Sequence, residues 1–325
     1  MNQTIITKPH SFFSIMFIRA FIITMRPYLL FVSGITGIAG MSFTTNLPTL
    51  DSFIIFLAAF LSYGFGQVLT DCFQIDTDSI SSPYRPLTQN IVTRKQFLIM
   101  SILGLFFCIS IFSFYNPINL LLGLFSGIGL YTYTFFKRRW WGGPFYNSWI
   151  VAMLFIICLL CGSQSIIFNQ PKIIYTLLVI FFGYANFVVA GYFKDTEADR
   201  ATHYKTIVVV YGRKISSFVS DVFSLLALGF TVSLLISEKN IQSVSFISYL
   251  FLLAAFIHAV IGQLRLHKVT KDSESHKPIT NVLHSYILLL AFISSLQKPE
   301  WAIYLIVFYL LFVGAMKIRP SENQI

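Results

Sequence analysis

Residues 51–78 read DSFIIFLAAFLSYGFGQVLTDCFQIDTD, an apolar segment long enough to span a membrane that ends in a run of aspartates. A second apolar segment, 173–193, leads into the similar run FKDTEADR at 193–200. Acidic groups at the ends of membrane helices are costly unless something binds them. Two such runs in one chain therefore indicate a shared site for a divalent cation, and their carboxylates are Asp71, Asp76, Asp78, Asp195, Glu197 and Asp199.

The composition places the whole chain in a lipid bilayer. Of its 325 residues 56% are hydrophobic and only 11% are charged, and the mean hydropathy is +0.73. A soluble domain cannot bury so much apolar surface, and apolar stretches of about 17–25 residues suit spanning helices rather than barrel strands. We predict an all-α, polytopic membrane bundle of about nine to ten transmembrane helices around a central cavity, forming one domain over residues 1–325.

Ten apolar segments are the predicted spans: 27–46, 51–69, 97–114, 118–136, 148–168, 173–193, 215–236, 245–264, 279–296 and 301–316. Within residues 1–26, Arg19 and Arg26 ahead of Pro27 predict an interfacial helix with a kink before the first span. This segment lacks a cleavage pattern, so we do not interpret it as a signal peptide. Residues 297–325 are expected to form an extra C-terminal helix and tail.

Lysine and arginine are distributed unevenly between the two sides of the predicted bundle. With ten spans, one side receives only Lys172, Lys239 and Lys298 of the 23 basic residues. The positive-inside rule places the other, basic side in the cytoplasm, together with both termini and both acidic runs. The net charge of +10 is then mainly an orientation signal, and it requires no nucleic-acid partner.

The side chains of the two runs suit magnesium. If the helix continues through the first run, Thr70, Gln74 and Asp78 share one face, with Asp71 on the neighbouring line. In the second run, Asp195 and Asp199 are four residues apart, so their carboxylates are neighbours. Mg²⁺ takes oxygen ligands and often binds through one or two carboxylates together with substrate phosphates. The structural alternative is that these carboxylates simply pair with Lys and Arg of the loops.

Basic residues near the runs suit a diphosphate bridged by Mg²⁺. They would stabilise the charge that develops on a leaving pyrophosphate, and an apolar tunnel between the helices would hold a hydrocarbon tail. The candidate diphosphate contacts are Arg85, Lys137, Arg138, Lys194 and Lys205.

In combination, the two runs resemble the motifs of the UbiA superfamily of intramembrane prenyltransferases. The stretch TDCFQIDTDSISSPYRPL at 70–87 resembles the first motif, an NDxxDxxxD helix end followed by a Pro-x-Arg-Pro loop. The stretch YFKDTEADRATHYKT at 192–206, which leads into IVVVYG, resembles the second motif with its DxxxD, basic loop and Lys-Thr. The resemblance extends to about residue 296.

This resemblance implies about nine helices around a lipid-open cavity, in which two Mg²⁺ ions activate an isoprenyl diphosphate. The resulting allylic cation would be captured by a hydrophobic, aromatic or other small acceptor in isoprenoid biosynthesis. By position, Asp78, Asp195 and Asp199 match metal-binding carboxylates, and Asp71 matches the acid beside the motif's Asn. The implied diphosphate contacts are Arg85, Lys137, Lys194 and Lys205.

The first motif departs from the family pattern while the second is intact. Thr70 stands where the family usually has Asn, and Gln74 stands where it usually has Asp. Gln is still an oxygen ligand but carries no charge, and Thr is a shorter and poorer ligand.

Three functions follow from these patterns. A prenyltransferase is the leading hypothesis, and a terpene cyclase on the same scaffold is the second. A transporter is disfavoured, because the ionisable residues of a transporter are expected near the bilayer midplane. The middle parts of these spans are nearly free of ionisable residues, and Asp221 and His258 are the main exceptions. Other polar residues within the spans either line the cavity or form interhelical hydrogen bonds; they are Tyr131, Tyr133, Asn147, Tyr184 and Asn186. His258 and His284 are interpreted as interhelical hydrogen-bonding residues, with an acceptor-site base as the alternative.

Overall fold

A computed structural model describes residues 9–12, 14–45, 47–163, 170–238 and 244–318. Within these ranges the regular secondary structure is entirely helical, as predicted. The α-helices are α1 (Ile15–Met25), α2 (Leu30–Ser42), α3 (Thr49–Asp71), α4 (Ile75–Ser81), α5 (Arg94–Tyr115), α6 (Ile118–Lys137), α7 (Gly142–Cys161), α8 (Pro171–Tyr192), α9 (Thr196–Ala201), α10 (Ile207–Ile236), α11 (Phe246–Leu266), α12 (His276–Gln297) and α13 (Ala302–Ile318). Short 3-10 turns occur at Pro27–Leu29, Asp272–Glu274 and Pro299–Trp301.

Among the described residues, nine helices are long and apolar enough to cross a membrane. Ile15–Met25 and Pro27–Ser42 meet at a bend of 41°, and counted as one bent span they raise the number to 10. The predicted kink before the first span is therefore confirmed. It is built by Arg26, whose backbone lies in the left-handed region at φ 54°, followed by Pro27, which starts the next helical segment.

The first acidic run breaks its helix, so the prediction of a continuous helix through it is wrong. Helix α3 ends at Asp71, and α4 begins only at Ile75. Hydrogen bonds from Phe73 N to Thr70 O (3.0 Å) and from Gln74 N to Asp71 O (3.2 Å) tighten the intervening turn. Polar side chains such as Asp favour turns and caps over helix interiors, which explains the break. Thr70, Gln74 and Asp78 therefore do not share one helical face.

The second acidic run breaks its helix in the same way. Helix α8 ends at Tyr192, and the six-residue helix α9 follows at Thr196–Ala201. Helices α4 and α9 lie against each other, and the hydroxyls of Thr77 and Thr202 are 3.0 Å apart. The loops of the two runs are thus joined at one end of the bundle.

Helix α12 is central: 83% of the residues in its most apolar stretch are buried, and it packs against α2, α8 and α11. The predicted extra C-terminal helix is present as α13. Phe308 and Phe312 of α13 contact Phe31, with ring centroids 5.0 and 5.7 Å apart. This contact attaches the last helix beside the bend at Arg26.

Ion pairs occur at both ends of the bundle, and each joins residues that the distribution of Lys and Arg placed on the same side. Lys172 pairs with Glu238 at 2.7 Å at one end of the bundle. Arg26–Asp71 and Arg138–Asp76 pair within the opposite, basic group. Which of these ends faces the cytoplasm stays a prediction.

Candidate active site

The two acidic runs line one cavity of about 220 Å³. Its body is apolar and lies between α3, α5, α6, α7 and α8, where Leu105, Phe112, Leu130, Leu154 and Ile157 line it. Charged and polar groups gather at its other end: Arg26, Asp71, Gln74, Asp78, Arg85, Lys137, Lys194 and Asp195. A charged end joined to an apolar body suits an amphiphile with an anionic head.

Asp71, the last residue of α3, is held by its neighbours. Nη2 of Arg26 donates to both carboxylate oxygens at 3.1 and 3.0 Å, and Gln67 Nε2 donates to one of them at 2.7 Å. Arg85 lies 3.7 Å from the same carboxylate. Thr70 turns its hydroxyl to the Gln67 carbonyl at 3.0 Å. The predicted metal ligation by Thr70 and Asp71 therefore competes with hydrogen bonds that are already formed.

Asp78 in α4 forms an ion pair with Arg85. The loop between α4 and α5 fixes Arg85, because Thr88 Oγ1 donates to the carbonyls of Pro83 (3.0 Å) and Arg85 (2.7 Å). Burial opposes protonation of the guanidinium, but Asp78 and Asp71 outweigh that effect and raise the pKa of Arg85. Arg85 is thus a permanent cation at the charged end of the cavity.

Asp199 is the most constrained carboxylate of the second run. It is fully buried, and its Oδ2 accepts a hydrogen bond from Thr206 Oγ1 at 3.2 Å. Its Oδ1 has no hydrogen-bond partner among the described residues, and Lys137 Nζ lies 3.8 Å away. Burial raises the pKa of Asp199 to about 7, although Lys137 acts to lower it.

Asp195 behaves differently although it is only four residues away. Burial opposes its ionisation, but the charges of Lys194, Lys137 and Arg85 outweigh that effect and hold its pKa below the usual value. Burial also lowers the pKa of Lys194 to about 8, although Asp195 acts to raise it. Asp195 and Lys194 both line the cavity, whereas Asp199 is not among its lining residues.

Lys137, the last residue of α6, connects the two runs. Its Nζ donates to Gln74 Oε1 at 2.8 Å in the first run and faces Asp199 in the second. Gln74 Nε2 in turn donates to Thr134 Oγ1 at 3.4 Å. The side-chain oxygen of Gln74 therefore already accepts a hydrogen bond from the Lys137 ammonium group.

Arg138 and Lys205 do not line the cavity, and their predicted contact with a diphosphate stays a prediction. The side chain of Arg138 is 50% exposed and pairs with Asp76 at 3.1 Å. Tyr204 donates to the same Asp76 carboxylate at 3.2 Å and accepts from Arg138 Nη2 at 3.2 Å. Lys205 is exposed. Arg138 and Tyr204 therefore hold Asp76 of the first run through contacts outside the cavity.

Several residues of the spans divide between cavity and packing. Tyr133, Asn147 and Tyr184 line the cavity, and Tyr131 and Asn186 do not. His258 Nδ1 lies 3.0 Å from Asn281 Oδ1, and His284 Nδ1 lies 2.8 Å from the Tyr309 hydroxyl, which confirms the interhelical interpretation of both histidines. Sequence reasoning missed the lining residues Arg26, Tyr63, Gln67 and Tyr192.

The polar end fits a Mg²⁺ ion that arrives with a phosphate ligand. The carboxylates of Asp71, Asp78 and Asp195 supply oxygen ligands there. The buried Oδ1 of Asp199, 3.8 Å from Lys137 Nζ, lacks a hydrogen-bond partner in the described chain. No three His, Cys, Asp or Glu side chains of the described residues are grouped tightly enough to hold an ion by themselves. Mg²⁺ keeps several waters and commonly shares its shell with substrate phosphates, so such a preformed group is not required.

A model of the UbiA prenyltransferase family matches residues 30–285. The chain belongs to this family. The predicted superfamily, helical membrane fold and prenyltransferase class are thereby confirmed. The protein is a multi-pass integral membrane protein of this family, and α13 lies beyond the matched region.

Relatives and solved structures agree with this assignment. The digeranylgeranylglyceryl phosphate synthase of Thermococcus kodakarensis is 29% identical over 212 residues, which are 64% of this chain and 74% of that protein. A UbiA homologue from Archaeoglobus fulgidus, solved with GPP and Mg²⁺, has a TM-score of 0.64 at 16% identity, covering 85% of this chain and 99% of that one. The apo structure of a UbiA homologue from Aeropyrum pernix K1 gives 0.69 at 14% identity, covering 81% and 96%.

Proposed function

We propose that this protein uses Mg²⁺ to ionise an isoprenyl diphosphate at the polar end of the cavity and transfers the prenyl group to an acceptor. One observation carries the proposal. Both acidic runs and three cations, Arg85, Lys137 and Lys194, meet at the charged end of a cavity whose body is apolar. That arrangement matches a diphosphate head and a hydrocarbon tail. We place this end on the cytoplasmic side and treat the chain as a single membrane domain.

Asp78, Asp195 and Asp199 would hold the metal, with Asp71 and Gln74 beside them. When bound, Mg²⁺ would neutralise phosphate oxygens and favour departure of pyrophosphate. Two of these three carboxylates face a cation of the protein, Arg85 for Asp78 and Lys137 for Asp199. These cations are positioned to turn to the incoming phosphates.

Arg85, Lys137 and Lys194 would bind the diphosphate and stabilise it as it leaves. The bond between the prenyl carbon and the bridging oxygen breaks, and pyrophosphate takes the electron pair. A nucleophilic atom of the acceptor then bonds to the allylic carbon and loses its proton. Tyr63, Tyr133 and Tyr184 line the adjacent cavity, and aromatic rings suit stabilisation of a cation. The apolar body keeps water away from the cation.

We propose two classes of acceptor, and the experiment below distinguishes them. The first is the aromatic or other small hydrophobic acceptor predicted from the sequence. The second is a glyceryl phosphate derivative, the class that appears in the name of the Thermococcus kodakarensis relative. Tyr63, Asn147 and Lys194 line the same cavity and offer hydrogen-bonding groups to either class.

The test uses purified protein with Mg²⁺ and geranyl, farnesyl or geranylgeranyl diphosphate, with and without each acceptor. We expect pyrophosphate and a prenylated acceptor, both lost with EDTA and in Asp195→Ala. Glu238→Ala is a matched control, because Glu238 pairs with Lys172 at the opposite end of the bundle. A cyclic hydrocarbon formed without acceptor would instead establish a terpene cyclase. Intact diphosphate in every mixture would refute the proposal.

A further inference from the structure

Asp195 occupies the residue directly before helix α9, the N-cap position. An Asp at this position ordinarily accepts a hydrogen bond from a backbone N–H of the first helical turn. In the described structure the side chain of Asp195 makes no such capping bond, and it lines the cavity instead. A different group must therefore satisfy the backbone of the first turn.

Asp272 supplies that group from the loop between α11 and α12. Its Oδ2 accepts the backbone N–H of Glu197, the second residue of α9, at 2.9 Å. Its other oxygen, Oδ1, pairs with the guanidinium of Arg213 in α10. One carboxylate thus connects three elements and caps α9 from outside its own segment.

The loop that carries Asp272 forms hydrogen bonds of its own. Glu274 Oε2 accepts the backbone N–H groups of Thr270 and Lys271 at 2.8 and 3.2 Å. The Ser275 N–H donates to the Asp272 carbonyl at 3.2 Å, and Ser275 is fully buried. Asp272 therefore reaches α9 from a fixed turn.

We infer that Asp272 is a positioning residue for the second acidic run: it caps Glu197 so that the carboxylate of Asp195 is left to face the cavity. The inference rests on the proposed function, in which Asp195 holds the metal. Without Asp272 the Glu197 N–H loses the acceptor that the described protein gives it, and the N-cap carboxylate of Asp195 is two residues away in the chain. Asp195 would then turn toward the backbone and away from Lys194, Lys137 and Arg85.

The test compares Asp272→Ala with Asp272→Asn in the full-length protein. The single Asn oxygen can still accept the Glu197 N–H, whereas Ala cannot. Both variants lose the ion pair with Arg213, so the comparison isolates the bond to Glu197. Asp221→Ala is the control, because Asp221 pairs with His267 at 2.7 Å and its side chain is 25% exposed, against 21% for Asp272. The first readout is the Mg²⁺ concentration that half-saturates the thermal shift in the presence of inorganic pyrophosphate. The second is the Mg²⁺ dependence of product formation.

We expect Asp272→Ala to weaken the Mg²⁺ response about 10- to 100-fold, the range typical for residues that orient metal ligands. Asp272→Asn and Asp221→Ala should stay close to wild type. An unchanged Mg²⁺ response in Asp272→Ala would overturn the inference. If the Ala variant does not fold, a lost Mg²⁺ response in folded Asp272→Asn would also overturn it, and a retained response there would support it.

Asp195→Ala separates this inference from the proposed function. If Asp195→Ala retains activity and its Mg²⁺ response, the proposed function itself fails. If Asp195→Ala is inactive while Asp272→Ala responds to Mg²⁺ like wild type, only the role of Asp272 is wrong.

Discussion

Lys137 Nζ donates a hydrogen bond to Gln74 Oε1 at 2.8 Å, although the two residues are 63 positions apart. Gln74 occupies the place where the family's first motif usually has Asp. The contact gives this uncharged residue a defined role, because it holds the cation that also faces Asp199. The altered first motif is therefore part of a connection between the two acidic runs.

Gln74→Glu should strengthen the Mg²⁺ response. The substitution keeps the length of the side chain and places a carboxylate beside Lys137, where it adds a charged oxygen to the polar end. We expect the half-saturating Mg²⁺ concentration to fall by roughly tenfold, equivalent to ~1.4 kcal/mol. A Mg²⁺ titration of pyrophosphate release measures this. Gln74→Leu is the opposing control and should raise that concentration; equal values in the two variants would refute the role of Gln74.

Lys137→Met should lower both activity and stability. Lys137 and Asp199 have side chains only 6% and 0% exposed, and removal of one partner of a buried pair costs ~3–5 kcal/mol. Loss of a cation that stabilises the leaving group should reduce kcat by about 10²–10³-fold. Thermal unfolding and single-turnover kinetics in detergent measure these effects. Arg139→Met is the control, because Arg139 does not line the cavity. A stable, active Lys137→Met protein would contradict the account.

Asp199 should make the metal-free protein less stable as the pH rises. Its pKa is raised from 3.8 to about 7 by burial, so between these values the folded state binds more protons than the unfolded state. Stability is then greatest below the unfolded pKa and is lost as the pH rises toward 7, by at most ~4 kcal/mol at 1.36 kcal/mol per pKa unit.

Asp199→Asn tests this directly. In EDTA, the difference in Tm between wild type and Asp199→Asn should shift in favour of the variant between pH 5 and pH 8, because Asn has no charge to bury. Mg²⁺ with pyrophosphate should restore stability to wild type and have little effect on the variant. A Tm difference that does not change with pH would show that Asp199 is not the titrating group.

Arg26→Met should release Asp71 and impair the site. Arg26 bonds both oxygens of a carboxylate that is only 4% exposed, and Gln67 and Arg85 compensate in part. We expect a loss of ~1–3 kcal/mol in stability, the cost of leaving a buried polar group poorly satisfied. Arg19→Met, on the exposed face of α1, is the matched control. The prediction fails if the two variants unfold at the same temperature.

The sequence was sufficient to predict that the two acidic runs share one end of the bundle. Both follow spans of the same direction, so Asp78 and Asp195 had to emerge on the same side, and the charge pattern agreed. The local path was harder to predict. The break at residues 72–74 depends on a backbone turn that competes with an otherwise plausible helix.

Contacts between distant segments could not be predicted from spacing. Arg26 reaches Asp71 across 45 positions, and only the packing of α1 against α3 brings them together. Arg138 was expected to contact a diphosphate because it is a basic residue near the acidic runs. Successive residues at a helix end point in different directions, so Lys137 enters the site while Arg138 pairs with Asp76 outside it.

The most direct test of the central claim is pyrophosphate release from an isoprenyl diphosphate, in the presence of both acceptor classes, by wild type, Asp195→Ala and Glu238→Ala, each with Mg²⁺ and with EDTA. The account predicts release by wild type and Glu238→Ala with Mg²⁺ only, and no release by Asp195→Ala. Release by Asp195→Ala at the wild-type rate, or release by wild type in EDTA, would contradict it.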